Sequence, residues 1–311
     1  MQRSFGLASS LAWSLLATLS SCAAPPSKPT PKLQFDGERA QADVVRQVRF
    51  GPRVPGTESH DACVDFLESE LKRYADKVEV QDCTRTVRGR PLPFRNLVAR
   101  FAPERRPRVL LCAHWDTRPT AEHDPDPTRR GDPIPGANDG ASGVAVLLEL
   151  ARALKASPLK LGVDLVLFDG EDTGSFQLGM AEVLLGAQDF AQRADAKDYR
   201  YAVLLDMVGR KGVKIMREAH SMACCAPLMN EIWAIAGDLG HGRHFASEPG
   251  SQIIDDHIPL QRAGFKAVDL IDLADPYWHT TADSPDKTDA ESLKAVGEVM
   301  LELLRREAAR P

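Results

Sequence analysis

A single α/β domain, with a mostly parallel central sheet and helices on both faces, is the fold class the sequence predicts. Three observations predict it. Short runs rich in Val, Ile and Leu, such as "RVLLCAH", "VDLVLFD" and "YAVLLDM", read as strands buried on both sides. Amphipathic stretches of helical length separate these runs. From about residue 36 onward no second linker interrupts the alternation, and the length allows one large α/β domain with a sizeable core.

Taken in order, the chain opens with "MQRSFGLASSLAWSLLATLSSC", in which Arg3, an apolar core from Phe5 to Thr18 and small residues before Cys22 have the layout of an export signal. Leu19-Ser20-Ser21-Cys22 resembles the bacterial lipobox, whose cysteine is lipidated and becomes the mature N-terminus. A plain signal peptide or a short buried helix is the alternative. Residues 23–35, with "AAPPSKPTPK", suit a stiff Pro-rich tether, leaving 36–311 as the folded domain. Ala23 after the cysteine, rather than Asp, points to the periplasmic side of the outer membrane of a Gram-negative cell. The expected product is an exported, lipid-anchored domain.

Within the domain, "HDACVDFLESELKRYA" is an amphipathic helix, and "KVEVQDCTRTV" and "NLVARFA" are extended. "RVLLCAH" is a buried strand, "SGVAVLLELARALKA" a helix with a nearly continuous apolar face, and "VDLVLFD" and "YAVLLDM" are two further buried strands. "GVKIM" reads as a short fourth strand, "APLMNEIWAIAGDLG" as a helix ending at Gly240, "KAVDLID" as a strand and "DAESLKAVGEVMLELLRREA" as the closing helix.

Composition excludes some roles. Asp and Glu (44) outnumber Lys and Arg (39) and no basic stripe occurs, so nothing points to nucleic acid. No apolar stretch reaches the roughly 18 residues of a membrane-spanning helix. Six cysteines occur. Lipidation of Cys22 leaves an odd number, and export permits disulfides, with Cys63–Cys83 a candidate pair. Cys112 lies in an apolar strand, and the adjacent Cys224 and Cys225 have no zinc-site spacing.

Polar residues follow the buried strands with a regularity that suggests a site. His114-Trp115-Asp116 follows the first, Gly170-Glu171-Asp172 the second, Asp206 ends the third, and Trp278-His279 comes after "KAVDLI". A Gly-rich turn, "PGANDGASG", adds Asn138 and Asp139 before a helix. In an open α/β sheet such residues converge at the carboxyl ends of the strands. Each has a plainer reading alone. Asp139 can cap the helix near Ser142, Glu171-Asp172 can be a solvated acidic turn, and His279 beside Trp278 can be a packing residue. Asp206 is harder to dismiss, since a buried carboxylate needs a partner. Together, two histidines and three carboxylates suit one or two divalent cations, zinc being favoured by the imidazoles. Glu171, beside a ligand such as Asp172, stands where a general base belongs. No G-x-S-x-G, H-E-x-x-H, Walker or G-x-G-x-x-G motif is present.

"HWDTRP", "GANDGASGVAVLLELARAL", "LVLFDGED", "LLDMVG" and "YWHTTADSPDK" resemble the zinc aminopeptidase clan. "RVPGTESHDACVDFLESEL" and "IIDDHIPLQRAGFKAVDLIDLADPYWHTTAD" are similar to the glutaminyl-peptide cyclotransferases (glutaminyl cyclases), and the likeness covers most of residues 45–305. This resemblance implies a zinc aminopeptidase-like fold and one zinc held by Asp139, Asp172 and His279. It implies Glu171 as the proton-shuttling acid, Asp206 and Asp255 as carboxylates hydrogen-bonded nearby, and Trp278 as a wall of the substrate pocket. The implied reaction converts N-terminal Gln of peptides or proteins to pyroglutamate with release of ammonia.

The alternative is a two-zinc aminopeptidase, in which Asp139 bridges, with His114 and Asp172 on one metal and Asp206 and His279 on the other. A non-catalytic binding lipoprotein that keeps the fold is a second alternative. Against animal cyclases the chain departs in three places. "TGSFQLG", with Phe176 and Gln177, stands where they carry a Trp, Ile254 replaces a Gln, and Asp172 replaces a Glu, shortening that ligand by one methylene.

Overall fold

The computed structural model describes residues 1–2 and 34–310, so Cys22 and nearly all of the expected signal peptide and linker lie outside the described residues. The domain begins with α1 (Gly37–Val48) and α2 (Glu58–Lys72), capped by the side chains of Asp36 and Thr57. Strands β1 (Lys77–Val87), β2 (Arg90–Phe101) and β3 (Arg108–His114) follow, then α3 (Ala141–Ala156), β4 (Gly162–Phe168), α4 (Leu185–Arg193) and β5 (Tyr199–Asp206). The chain continues through β6 (Ile215–Arg217), α5 (Ala219–Asp238), β7 (Phe245–Pro249), α6 (His257–Arg262) and β8 (Ala267–Ile271) to α7 (Ala290–Ala308).

The main sheet has the order β1-β2-β4-β3-β5-β8. β4, β3, β5 and β8 pair in parallel, whereas β1–β2 and β2–β4 are antiparallel, so the sheet is mixed with a parallel heart. The β1–β2 hairpin turns through Arg88 and Gly89, both at positive φ (49° and 76°), the conformation of a two-residue turn that matches strand twist.

Side chains alternate across this sheet. Val109, Leu111 and Ala113 face the larger core with α3, α5 and α7, while Leu110 and Cys112 face a second core with Phe190 of α4 and Leu260 of α6. Helices therefore cover both faces, as strands buried on both sides require. The expected fourth strand does not join this sheet: Ile215–Arg217 pairs with β7 in a separate two-stranded ribbon. The expected Cys63–Cys83 pair is also corrected. Cys63, Cys83 and Cys112 are free thiols, Cys63 and Cys112 being buried, and the disulfide among the described residues joins Cys224 to Cys225.

The connections set up the crevice. From β3 the chain crosses by α3 to β4 on one side, and from β4 it returns by α4 to β5 on the other. That reversal opens the carboxyl ends of β3 and β4, where such folds place their ligands. Close approach of α3 to β5 needs Gly143, since a Cβ there would lie 2.1 Å from the Leu205 carbonyl oxygen.

Candidate metal centre and active site

Four strands deliver the site. His114 ends β3, the Gly170-Glu171-Asp172 turn follows β4, Asp206 ends β5, and His279 comes after β8. His279 adopts a left-handed backbone (φ 53°), as does Met207 directly after Asp206 (φ 50°). Non-glycine residues held there are uncommon and gather at functional positions.

The turn before α3 brings Asp139. Its carboxylate does not cap the helix; Gly140, at φ 95°, occupies the cap position and makes no side-chain cap bond. Asp139 is instead held from behind. Asp283 accepts the backbone N–H groups of Asn138 (2.8 Å) and Asp139 (3.1 Å), and Asn138 donates its side-chain amide to Asp275 at 2.6 Å. The buried Arg53 guanidinium donates to the carbonyls of Trp115, Pro135 and Gly136, pinning the same turn to the end of β3.

Nor are Glu171 and Asp172 a solvated turn: both are buried, at 7% and 2% exposure. Asp116 holds them by accepting their backbone N–H groups, one on each carboxylate oxygen, both at 3.1 Å. The same Asp116 Oδ1 also faces His114 Nδ1, at 3.6 Å and so beyond hydrogen-bond distance.

Among the described residues two candidate ligand groups share Asp139, and a third consists of Asp255, His257 and Asp269. In the first, His279 Nε2 lies 3.6 Å from Asp139 Oδ2 and 3.4 Å from Asp172 Oδ1. In the second, His114 Nε2 lies 3.1 Å from both Asp139 Oδ1 and Asp206 Oδ1. Asp139 belongs to both. Its Oδ2 and that of Asp172 are buried without any hydrogen-bond partner, an expensive arrangement for carboxylates unless a cation faces them. Two oxygens and an imidazole nitrogen at this spacing are a donor set that fits zinc.

Electrostatics report the same need. Burial, then the charge of Asp172, pushes Asp139 up to about 6. For His279 burial favours the neutral ring, yet the charge of Asp172 outweighs it and raises the group to about 10. Asp172 in turn sits at about 2, since His279 overcomes its burial. Burial and the nearby Asp172 push Glu171 well above the ordinary carboxyl range, with His114, Asp255 and Asp256 its other charged neighbours. Asp255 is also pushed well up, by burial and then by Asp206. Buried carboxyls that resist ionisation beside a cation site are suited to moving protons.

The structure thus brings Asp139, Glu171, Asp172, Asp206, Asp255, His114 and His279 to one crevice. Trp278 stands half-buried at its edge, its ring 4.2 Å from that of His279. Phe176 and Ile254 are exposed. Residues that sequence reasoning missed are Arg118, Glu122 and His123. Glu122 accepts from His279 Nδ1 at 3.1 Å, Arg118 reaches both Glu122 and Asp172, and the His123 ring lies 4.7 Å from Trp278. They occupy a loop of ordinary charged residues, and their partners are remote in sequence.

A model of peptidase family M28 matches residues 96–304 of this chain. A glutaminyl-peptide cyclotransferase-like protein of Bos taurus is 26% identical over 75% of the chain, and the alignment spans 66% of that protein's own length. A solved glutaminyl cyclase of Tannerella forsythia is 40% identical with a TM-score of 0.82, covering 87% of this chain and 98% of that one. A solved Zn-dependent exopeptidase of Parabacteroides distasonis is 39% identical with a TM-score of 0.84, covering 89% and 99%.

Proposed function

The chain belongs to peptidase family M28, and we propose that within this family it is a zinc-dependent glutaminyl-peptide cyclotransferase. One observation carries the reading. The Asp139–Asp172–His279 group, with Glu171 beside it, sits in a chain 40% identical to a solved glutaminyl cyclase over nearly that protein's whole length.

Asp139, Asp172 and His279 would hold a single zinc. Bound there, zinc supplies Lewis acidity toward the γ-carboxamide carbonyl of an N-terminal Gln. The substrate's free α-amine attacks that carbon, closing the lactam ring, and the bond to the amide nitrogen breaks. Glu171 accepts the proton from the attacking amine and returns it to the departing ammonia. Asp255, next to Asp206 and Glu171, keeps this proton exchange among buried carboxyls instead of solvent. Trp278 forms one wall for the Gln side chain.

A second reading is favoured by the His114–Asp139–Asp206 group, which suits a second metal and hence an aminopeptidase. Zinc per chain and reaction products separate the two. The cyclase is expected to bind about one zinc and release ammonia from a Gln-initiated peptide, seen as a mass loss. Two tightly bound zincs, with cleavage of a Leu-initiated peptide and no ammonia, would install the aminopeptidase. The lipobox-like tetrad further supports an exported lipoprotein acting on peptide or protein N-termini from a membrane anchor at Cys22.

A further inference from the structure

Asp172 and His279 leave different strands, β4 and β8, and something must bring them to one ion. The segment from Arg118 to Asp124 lies across both. Arg118 Nη1 donates to Asp172 twice, to Oδ1 and to the main-chain oxygen, each at 3.3 Å. Its Nε and Nη2 donate to Glu122 Oε1 at 2.8 and 2.7 Å. The same Glu122 oxygen lies 3.1 Å from His279 Nδ1, and Thr120 donates its hydroxyl to the other oxygen at 3.1 Å.

The backbone reinforces the strap. The His123 N–H donates to the His279 carbonyl at 3.1 Å, and Asp124 accepts both the N–H (2.9 Å) and the hydroxyl (2.5 Å) of Thr281. Asp172, Arg118, Glu122 and His279 therefore form a closed ring, completed by the 3.4 Å approach of His279 Nε2 to Asp172.

We propose that Glu122 is the positioning residue for His279 and that Arg118 couples it to Asp172, so that the strap assembles two metal ligands before the metal arrives. This rests on the reading of Asp139, Asp172 and His279 as zinc ligands.

The physical reason is the division of labour within an imidazole. A carboxylate that accepts the Nδ1–H fixes the tautomer, turns the Nε2 lone pair toward the metal and raises its basicity. His114 offers the internal contrast. Its Nδ1 lies 3.6 Å from Asp116 Oδ1, beyond hydrogen-bond distance, whereas His279 Nδ1 is 3.1 Å from Glu122. The carboxylate behind His279 is thus the closer of the two. Arg118 answers the cost of adding an acid here, because an uncompensated Glu122 would add another negative charge beside Asp139, Asp172 and Glu171. A planar guanidinium reaches two carboxylates at once, which Lys does not do as well.

The test uses Glu122→Gln and Glu122→Asp in the full chain, with zinc affinity measured by chelator competition and the melting temperature of the metal-free protein measured beside it. Glu122→Gln should weaken zinc binding by about 10–100-fold, a larger loss than any fall in the metal-free melting temperature accounts for. Glu122→Asp, which keeps the charge, should recover part of the loss. Wild-type zinc affinity in Glu122→Gln would overturn the inference while leaving the metal reading intact. A His279→Ala variant that keeps full zinc affinity would overturn the metal reading and the inference with it.

Discussion

Asp116 accepts the backbone N–H of Glu171 at 3.1 Å, although the two residues end different strands. The other oxygen of the same carboxylate serves Asp172, so one fully buried side chain fixes both the proposed base and a proposed ligand. Replacing it leaves two buried donors unsatisfied, each costing about 1–3 kcal/mol. Asp116→Ala is expected to lower stability by at least that much in urea unfolding and to lower kcat as well. Wild-type unfolding and turnover in this variant would show that the turn holds itself.

Glu171→Gln should separate binding from chemistry. Gln is nearly isosteric but cannot accept a proton. Zinc content should stay at the wild-type level while turnover of a Gln-initiated peptide falls by about 10²–10⁴-fold or more. Near-normal turnover with zinc retained would remove Glu171 from the proton shuttle.

The two histidines should behave differently. His279→Ala is expected to lose zinc and activity together, since it removes the nitrogen that faces Asp139 and Asp172. His114→Ala should keep close to one zinc per chain. Metal analysis that found the reverse would move the principal site to the His114–Asp139–Asp206 group.

Asp255 bears on the second site. Burial, then the charge of Asp206, pushes Asp255 well above the ordinary carboxyl range, so Asp255 is expected to hold a proton beside Asp206 and to compete with a second metal for that carboxylate. Asp255→Ala should abolish cyclase activity and allow weak occupancy of a second metal, read by zinc titration. Asn is the poorer probe because its amide can still hydrogen-bond Asp206. An Asp255→Ala variant with full ammonia release would exclude the residue from the reaction.

The anchor is tested separately. Cys22→Ala should abolish labelling by a fatty-acid probe during expression and leave the chain unanchored. Labelling unchanged in the variant would contradict the lipobox reading.

By itself the sequence determined the strands of the parallel heart and the chemistry at their ends. Four apolar runs are legible because burial on both faces demands unbroken Val, Ile and Leu. The acids and histidines following them stand out because nothing in a buried strand calls for them. Other elements were less legible. Gly37–Val48 keeps Ala40, Val44 and Val48 in helical phase but sets these small apolar residues among charged ones, and Leu185–Arg193 and His257–Arg262 are too short for a period to stand out. "GVKIM" reads as sheet but pairs elsewhere, because a three-residue strand specifies no register against a remote strand.

Only the tertiary structure decided what each polar side chain serves. Asp116 looks like a partner for His114 two residues away and does face it, yet its hydrogen bonds hold a turn more than fifty residues on. Asp139 looks like a helix cap, yet Gly140 takes that place and frees the carboxylate for the crevice. Arg118 and Glu122, indistinguishable in sequence from a solvated loop, bind the two ends of the site together. Hydrophobic patterning is a local signal, written in spacing along the chain. A hydrogen bond between loops depends on where distant segments arrive, and that is fixed only once the sheet has folded.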